Sequence, residues 1–191
     1  MEVSWKRSKD GYGLVSILLH WVMLLLIVAT YATMNLKSIY LKGSHERDLL
    51  VFWHYTLGLS VFGLIWFRLW MRCMGRSPVI RPALPIGQAV IAKAVQLTLY
   101  ALMIGLPVLG WLTLSAKGVP IPFFNLELPA LIAADHDHAK LFKKIHELIA
   151  TAGYFLIGLH AFAALFHHFV KRDNTLKLMM NYRGRREFDF H

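Results

Sequence analysis

The chain has 191 residues, 57% of them hydrophobic, a net charge of +10 and a mean hydropathy of +0.48. That composition excludes an ordinary soluble domain and points to an integral membrane protein. One cysteine, Cys73, excludes an internal disulfide, and the positive charge, which clusters beside apolar runs, is not the footprint of a nucleic-acid binder.

Residues 1–10 are polar and carry Lys6, Arg7, Lys9 and Asp10. From Gly11 to Leu36, 26 residues pass without Asp, Glu, Lys or Arg. A run of that length spans a bilayer and exceeds the apolar core of a cleaved signal, about 7–15 residues. The first helix is therefore predicted over 11–36, with His20 and Trp21 inside it. A polar connection follows, and Leu49 to Phe67 is a second uncharged run of 19 residues. Its helix is predicted over 49–71. It has His54 near its start, Gly58 one turn later, and Arg68 and Arg72 at its end.

Gly75, Pro78, Pro82, Pro85 and Gly87 mark residues 74–88 as a loop. The third helix is predicted over 94–116, with Pro107 expected to kink it. The longest connection covers 117–145. Gly118, Pro120, Pro122 and Pro129 argue against a regular helix in its first half. Phe123, Phe124 and Leu126 are placed to dip into the membrane interface. Asp135-His136-Asp137-His138 forms a polar cluster there, which leaves metal binding by His136 and His138 open. A charged preamble, Lys143-Lys144-Ile145-His146-Glu147, leads into the fourth helix, predicted over 146–170. A basic tail, 171–191, ends the chain.

The expected fold is all-α: one domain, an integral membrane four-helix bundle. Its orientation follows from Lys and Arg. The N-terminus, the second connection with its flanks and the tail hold 14 of the 21, and the first and third connections hold the other seven. The positive-inside rule then puts both termini in the cytoplasm.

Four histidines lie at two depths in this arrangement. His146 and His160 are fourteen residues apart on one helix, about 21 Å of rise, and return to nearly the same face. His20 matches His160 in depth on the cytoplasmic side, and His54 matches His146 on the other. Ionisable groups at membrane depth mark function. Paired imidazoles on facing helices are a common way to hold a haem iron. Two ligands at each level fall short of a zinc shell, whereas a haem needs only two axial ligands. No C-x-x-C-H motif occurs, so any haem is non-covalent. Arg68, fourteen residues after His54, falls at the depth of the His20–His160 pair. There it either binds haem propionates or snorkels to the interface. His167 lies near the His160 face and suits a propionate, a quinone carbonyl or an interfacial position.

Several stretches resemble the bacterial cytochrome b561 family. They are His146-Glu147-Leu148, Ala152 to His160, Ala163-Ala164-Leu165, His167-His168, Leu19-His20-Trp21, His54 with Gly58, Arg68 with Arg72, and Asp173 to Leu176. The resemblance covers residues 13 to about 180. It implies a di-haem membrane cytochrome of the bacterial inner membrane with two non-covalent haem b groups. One would be held by His20 and His160, the other by His54 and His146. It also implies an oxidoreductase that passes electrons from a small periplasmic donor, such as superoxide, to ubiquinone. The alternative is a haem-bearing membrane subunit relaying electrons to or from a partner redox protein, a dehydrogenase or reductase. A third reading, a proton-relay transporter, lacks membrane Asp or Glu. Lys140, Lys143 and Lys144, with Lys117, form a local positive patch suited to steering an anion.

Overall fold

The computed structural model describes residues 12–74 and 78–180. Lys6, Arg7, Gly11, Gly75, Arg76 and the tail beyond Met180 lie outside the described residues. Four long helices dominate: α1 (Leu14–Leu36), α2 (His45–Cys73), α3 (Ile86–Lys117) and α4 (His136–Phe166). The shortest has 23 residues, about 35 Å at 1.5 Å per residue, enough to cross a hydrocarbon core of about 30 Å. All four are long and apolar enough for a membrane span, and at most 17% of the most apolar window of each is buried within the chain. Leu25, Phe155 and Phe162 instead face outward. Apolar surface turned outward along four spans is the arrangement that lipid, not water, stabilises. The chain is all-α in its long elements and consistent with a four-helix membrane bundle.

Helix boundaries depart from the limits of the apolar runs. α4 begins at His136, ten residues before the predicted start, because Asp135 caps it. The Asp135 carboxylate accepts the backbone N–H groups of Asp137 at 3.0 Å and His138 at 2.9 Å. These are donors that no helical carbonyl can satisfy. The His136–His138 cluster is thus the first turn of α4 rather than a loop. At the other end α4 passes into a π-helical turn, His167–Lys171. α2 begins at His45 behind Ser44, whose hydroxyl accepts the Arg47 N–H at 3.3 Å. α3 starts at Ile86 directly after Pro85, whose carbonyl accepts the Ala89 N–H at 3.0 Å, and it continues through Pro107.

The connection after α3 holds a small antiparallel hairpin, β1 (Ile121–Phe123) and β2 (Leu126–Leu128), with Phe123 opposite Leu126. Its proline-rich sequence had pointed only to irregular chain. Trp111 Nε1 donates to the Pro129 carbonyl at 2.9 Å, and the Leu131 N–H donates to Ser115 Oγ at 3.0 Å. These bonds tie the hairpin's return strand to the end of α3.

The chain divides into two compact units. One comprises Met1–Val22, Trp66–Leu99 and Tyr154–His191, the other Met23–Ile65 and Tyr100–Gly153. Each long helix contributes a part to each. In the first unit, Trp21 Nε1 donates to the Met179 carbonyl at 2.9 Å. Arg81 and Asn174 are joined twice, by the Arg81 N–H to Asn174 Oδ1 at 2.8 Å and the Asn174 N–H to the Arg81 carbonyl at 3.2 Å. The connection between α2 and α3 is thereby fastened to the segment that follows α4. In the second unit the buried side chains include Thr56, Val61, Ile65, Tyr100 and Leu114.

Candidate functional site

Each unit contains one pair of imidazoles. In the second unit His54 of α2 and His146 of α4 have ring centroids 6.2 Å apart with planes inclined at 76°. Both are half-buried. His54 Nδ1 lies 3.0 Å from the Thr30 carbonyl, and His146 Nδ1 lies 3.0 Å from the Leu106 carbonyl. A carbonyl only accepts, so each Nδ1 carries the proton and each Nε2 keeps its lone pair. Both acceptors sit on neighbouring helices. A second partner of that kind fixes the tautomer and orientation of a metal-binding histidine. Gly110, one turn after Leu106, stands beside the His146 ring, where even a Cβ would make only an ordinary contact. A Cβ built on Gly110 would stand 3.6 Å from His146 Cε1. Beside His54, Gly58 has nothing within 4 Å of the position a Cβ would take, which leaves space for a flat group.

In the first unit His20 of α1 and His160 of α4 have ring centroids 6.4 Å apart, with planes at 70°. His20 is half-buried and His160 exposed. Here the polar neighbour is a cation. Arg68 Nη2 lies 3.2 Å from His20 Nδ1, and Nη1 donates to the Ser16 carbonyl at 3.5 Å. Arg68 thus stands against His20 and the Ser16 carbonyl.

Both separations suit one metal between two rings. A metal–imidazole bond is about 2.0–2.1 Å, which puts the ion roughly 3 Å from each ring centre and the centres about 6 Å apart. No group of three or more His, Cys, Asp or Glu side chains able to hold an ion occurs among the described residues. Each pair thus supplies two ligands and lacks the third or fourth that protein-bound zinc requires. An iron that brings four equatorial nitrogens in its own macrocycle needs only those two. The residues fit a haem, which would be held non-covalently.

A further polar cluster joins the π-turn to the segment after it. His167 Nδ1 donates to Asp173 Oδ2, with Asp173 3% exposed. Arg172 adopts the left-handed conformation, φ 55°, and turns the chain so that Asp173 comes back against the π-turn. The Thr175 N–H donates to Asp173 Oδ1 at 2.9 Å. Burial alone would push the Asp173 carboxyl up, but the Thr175 N–H and His167 pull it down further, and the net direction is below the ordinary carboxylate range. His167 was readable as a face neighbour of His160. Its partner was not, because no glycine announces the reversal at Arg172. His138 stays near its cap, 3.3 Å from Asp135, stacked on Phe142.

Lys37, in the turn directly after α1, feels the charges of Arg47 in the first turn of α2, Lys117 at the end of α3 and Lys143 in α4, with Glu147 as the opposing charge. Lys37 also lies within electrostatic reach of His54. Arg47 is partly committed, since its Nη1 donates to the carbonyls of Lys37 at 2.8 Å and Tyr40 at 3.2 Å. The sequence had suggested Lys117 and Lys143 for this patch but not Lys37 or Arg47.

Four apolar helices carrying two imidazole pairs define a membrane protein of the cytochrome b class. The chain belongs to the prokaryotic cytochrome b561 family, whose model matches residues 11–182. It is 36% identical over 171 residues to cytochrome b561 homolog 1 of Escherichia coli K12, covering 90% of this chain and 97% of that protein. To a Yersinia pestis protein named "Probable superoxide oxidase CybB" it is 32% identical over 169 residues, 88% and 95% of the two chains. Cytochrome b561 homolog 2 of Escherichia coli K12 is 30% identical over 183 residues, 93% and 95%. The chain is thus a multi-pass protein of the bacterial inner membrane, in a family whose cofactor is haem b.

Proposed function

We propose that this protein is an oxidoreductase that moves single electrons across the bilayer from a small periplasmic donor, superoxide being the best fit, to ubiquinone. The observation that carries the reading is the pair of two-imidazole sites, each about 6 Å wide and without a third protein ligand among the described residues. His54 and His146 would hold one haem b, and His20 and His160 the other. A haem held there would supply one-electron chemistry. Arg68 would neutralise a propionate of the haem held by His20 and His160.

The remaining roles fall to the chain's own side chains. The Lys37, Arg47, Lys117 and Lys143 group supports an anionic donor, because a local positive field raises the encounter rate of a small anion. Superoxide gives up one electron and leaves as dioxygen. Ubiquinone takes two such electrons and two protons to become ubiquinol. His167, its Nδ1–H committed to Asp173, has an Nε2 lone pair left to accept a hydrogen bond from the hydroxyl of the ubiquinol formed. The distribution of Lys and Arg supports cytoplasmic termini, which puts donor and acceptor on opposite sides.

The test uses the purified chain in lipid nanodiscs. Superoxide should reduce its haems within the mixing time of a stopped-flow instrument, and added ubiquinone should reoxidise them. Reduction should slow as salt is raised. Haems that superoxide leaves oxidised, but that a co-purifying dehydrogenase reduces, would overturn this reading in favour of a relay subunit.

A further inference from the structure

Tyr31 of α1 and Gly153 of α4 meet more closely than any side chain larger than hydrogen at position 153 would permit. A Cβ built on Gly153 would stand 2.5 Å from the Tyr31 hydroxyl oxygen. The same hydroxyl donates to the Ala150 carbonyl at 2.9 Å. Ala150 and Gly153 follow His146 by four and seven residues, so the three share one face of α4. Tyr31 thus rests on the face that carries His146. The residue just before it, Thr30, offers the carbonyl that accepts the His54 Nδ1–H at 3.0 Å. That carbonyl is itself held by the Thr33 hydroxyl at 2.7 Å. One short stretch of α1 therefore orients His54 with its backbone and sets its own distance from α4 with its side chain. His54 and His146 come from different helices, and this stretch touches both systems.

We infer that Tyr31 and Gly153 form a steric latch that sets the spacing and mutual tilt of the His54 and His146 rings, which makes Tyr31 a positioning residue for that pair. The inference rests on the haem reading proposed above. Packed interiors shift when a single methyl is inserted without room. A methyl at position 153 cannot share space with the Tyr31 hydroxyl, so either the Tyr31 ring swings off its Ala150 bond or α1 and α4 separate, carrying the Thr30 carbonyl and the His146 ring with them; the latch requires the second. Without the hydroxyl, the ring carbon that bore it lies 3.8 Å from the added methyl, an ordinary contact. The latch therefore has a specific rescue.

The experiment compares Gly153→Ala, Tyr31→Phe and the double variant with the unaltered protein, each loaded with haem in nanodiscs. The readouts are the low-field electron paramagnetic resonance signals of the ferric haems and their midpoint potentials. Low-spin signals respond to the angle between axial imidazole planes, so they report geometry rather than turnover. His54→Ala identifies the signal of the His54–His146 pair by its loss. Gly153→Ala should shift that signal, or cost its haem, and leave the other unmoved. Tyr31→Phe, which removes the hydroxyl from the latch, should move it by less than Gly153→Ala does, and the double variant should return it to the Tyr31→Phe position. An unmoved signal in Gly153→Ala would overturn the latch, as would a double variant as perturbed as the single one. If Gly153→Ala does not assemble, recovery of assembled protein in the double variant supports the latch and failure to recover overturns it. If His54→Ala keeps both haem signals, the ligation reading itself fails and takes the latch with it. Loss of one signal in His54→Ala alongside an unmoved Gly153→Ala sinks the latch alone.

Discussion

At the scale of single residues, the two pairs differ in what holds their outer ring nitrogen. His54 and His146 each donate to a backbone carbonyl, which makes the imidazole a stronger donor to metal. His20 Nδ1 instead accepts from the Arg68 guanidinium at 3.2 Å, so the neutral His20 ring carries its proton on Nε2 and metal binding there would require Arg68 to release Nδ1. A cation beside a redox centre favours its reduced form, by the same logic that lets a neighbouring charge shift a pKa. Arg68→Leu should therefore lower the midpoint potential of the haem proposed for His20 and His160 and leave the other nearly unchanged. A spectroelectrochemical titration reads both at once, and an unaltered pair of potentials would reject a direct role for Arg68. The ligands themselves make a sharper test. Replacing His54 or His146 with Ala should abolish reduction by superoxide but keep one haem that ubiquinol can reduce. Replacing His20 or His160 should keep superoxide-driven reduction of one haem and lose quinone turnover. Stopped-flow traces from both directions, with haem content measured alongside, separate the two classes. Interchangeable behaviour would reject the assignment of donor and acceptor to the two pairs.

At the scale of elements, the caps decide where the helices begin. Hydrophobic runs mark what lies in lipid, but a helix may continue into water wherever a side chain satisfies its first N–H groups. Asp135 does so for α4 and Ser44 for α2. Hydrogen bonding from the His138 N–H, with further help from His138 and the Asp137 N–H, holds the Asp135 carboxyl below its usual range. A depressed carboxyl stabilises the fold above its unfolded pKa, about 3.9, and that contribution fades as pH falls through the lower folded value. Asp135→Ala should consequently lower the thermal midpoint by roughly a few degrees at pH 7, with the gap to the unaltered protein closing towards about pH 3. Circular dichroism melts at the two pH values measure it, and a gap independent of pH would show that the carboxylate is not the source. The hairpin carries a different lesson. Phe124, at its tip, has φ 53°, a conformation costly for a bulky residue. Sequence rules predict glycine there, so no turn signal marked β1 and β2.

At the scale of the whole molecule, the count of cofactors follows from the count of pairs. Two haems b per chain are expected, and acidic acetone should extract all of them because no C-x-x-C-H motif occurs. A pyridine haemochrome assay against protein concentration measures the ratio. One haem per chain after expression with ample haem supply would count against one of the two sites.

The sequence by itself determined the four spans, the all-α character, the family and which histidines share a depth. The spans, the helices and the matched depths follow from local composition and helical periodicity, whereas the family follows from the resemblance of particular stretches such as Leu19-His20-Trp21 and Ala152 to His160. Tertiary structure alone decided what each imidazole touches. The carbonyls of Thr30 and Leu106 lie 24 and 40 residues from their histidines, and every residue has a carbonyl, so no side-chain pattern can single these out. The same holds for Arg68 beside His20, for the Asp173 carboxylate brought back by a left-handed Arg172, and for Tyr31 against Gly153. Each depends on how one helix stands against another, and periodicity along one helix contains no information about that distance.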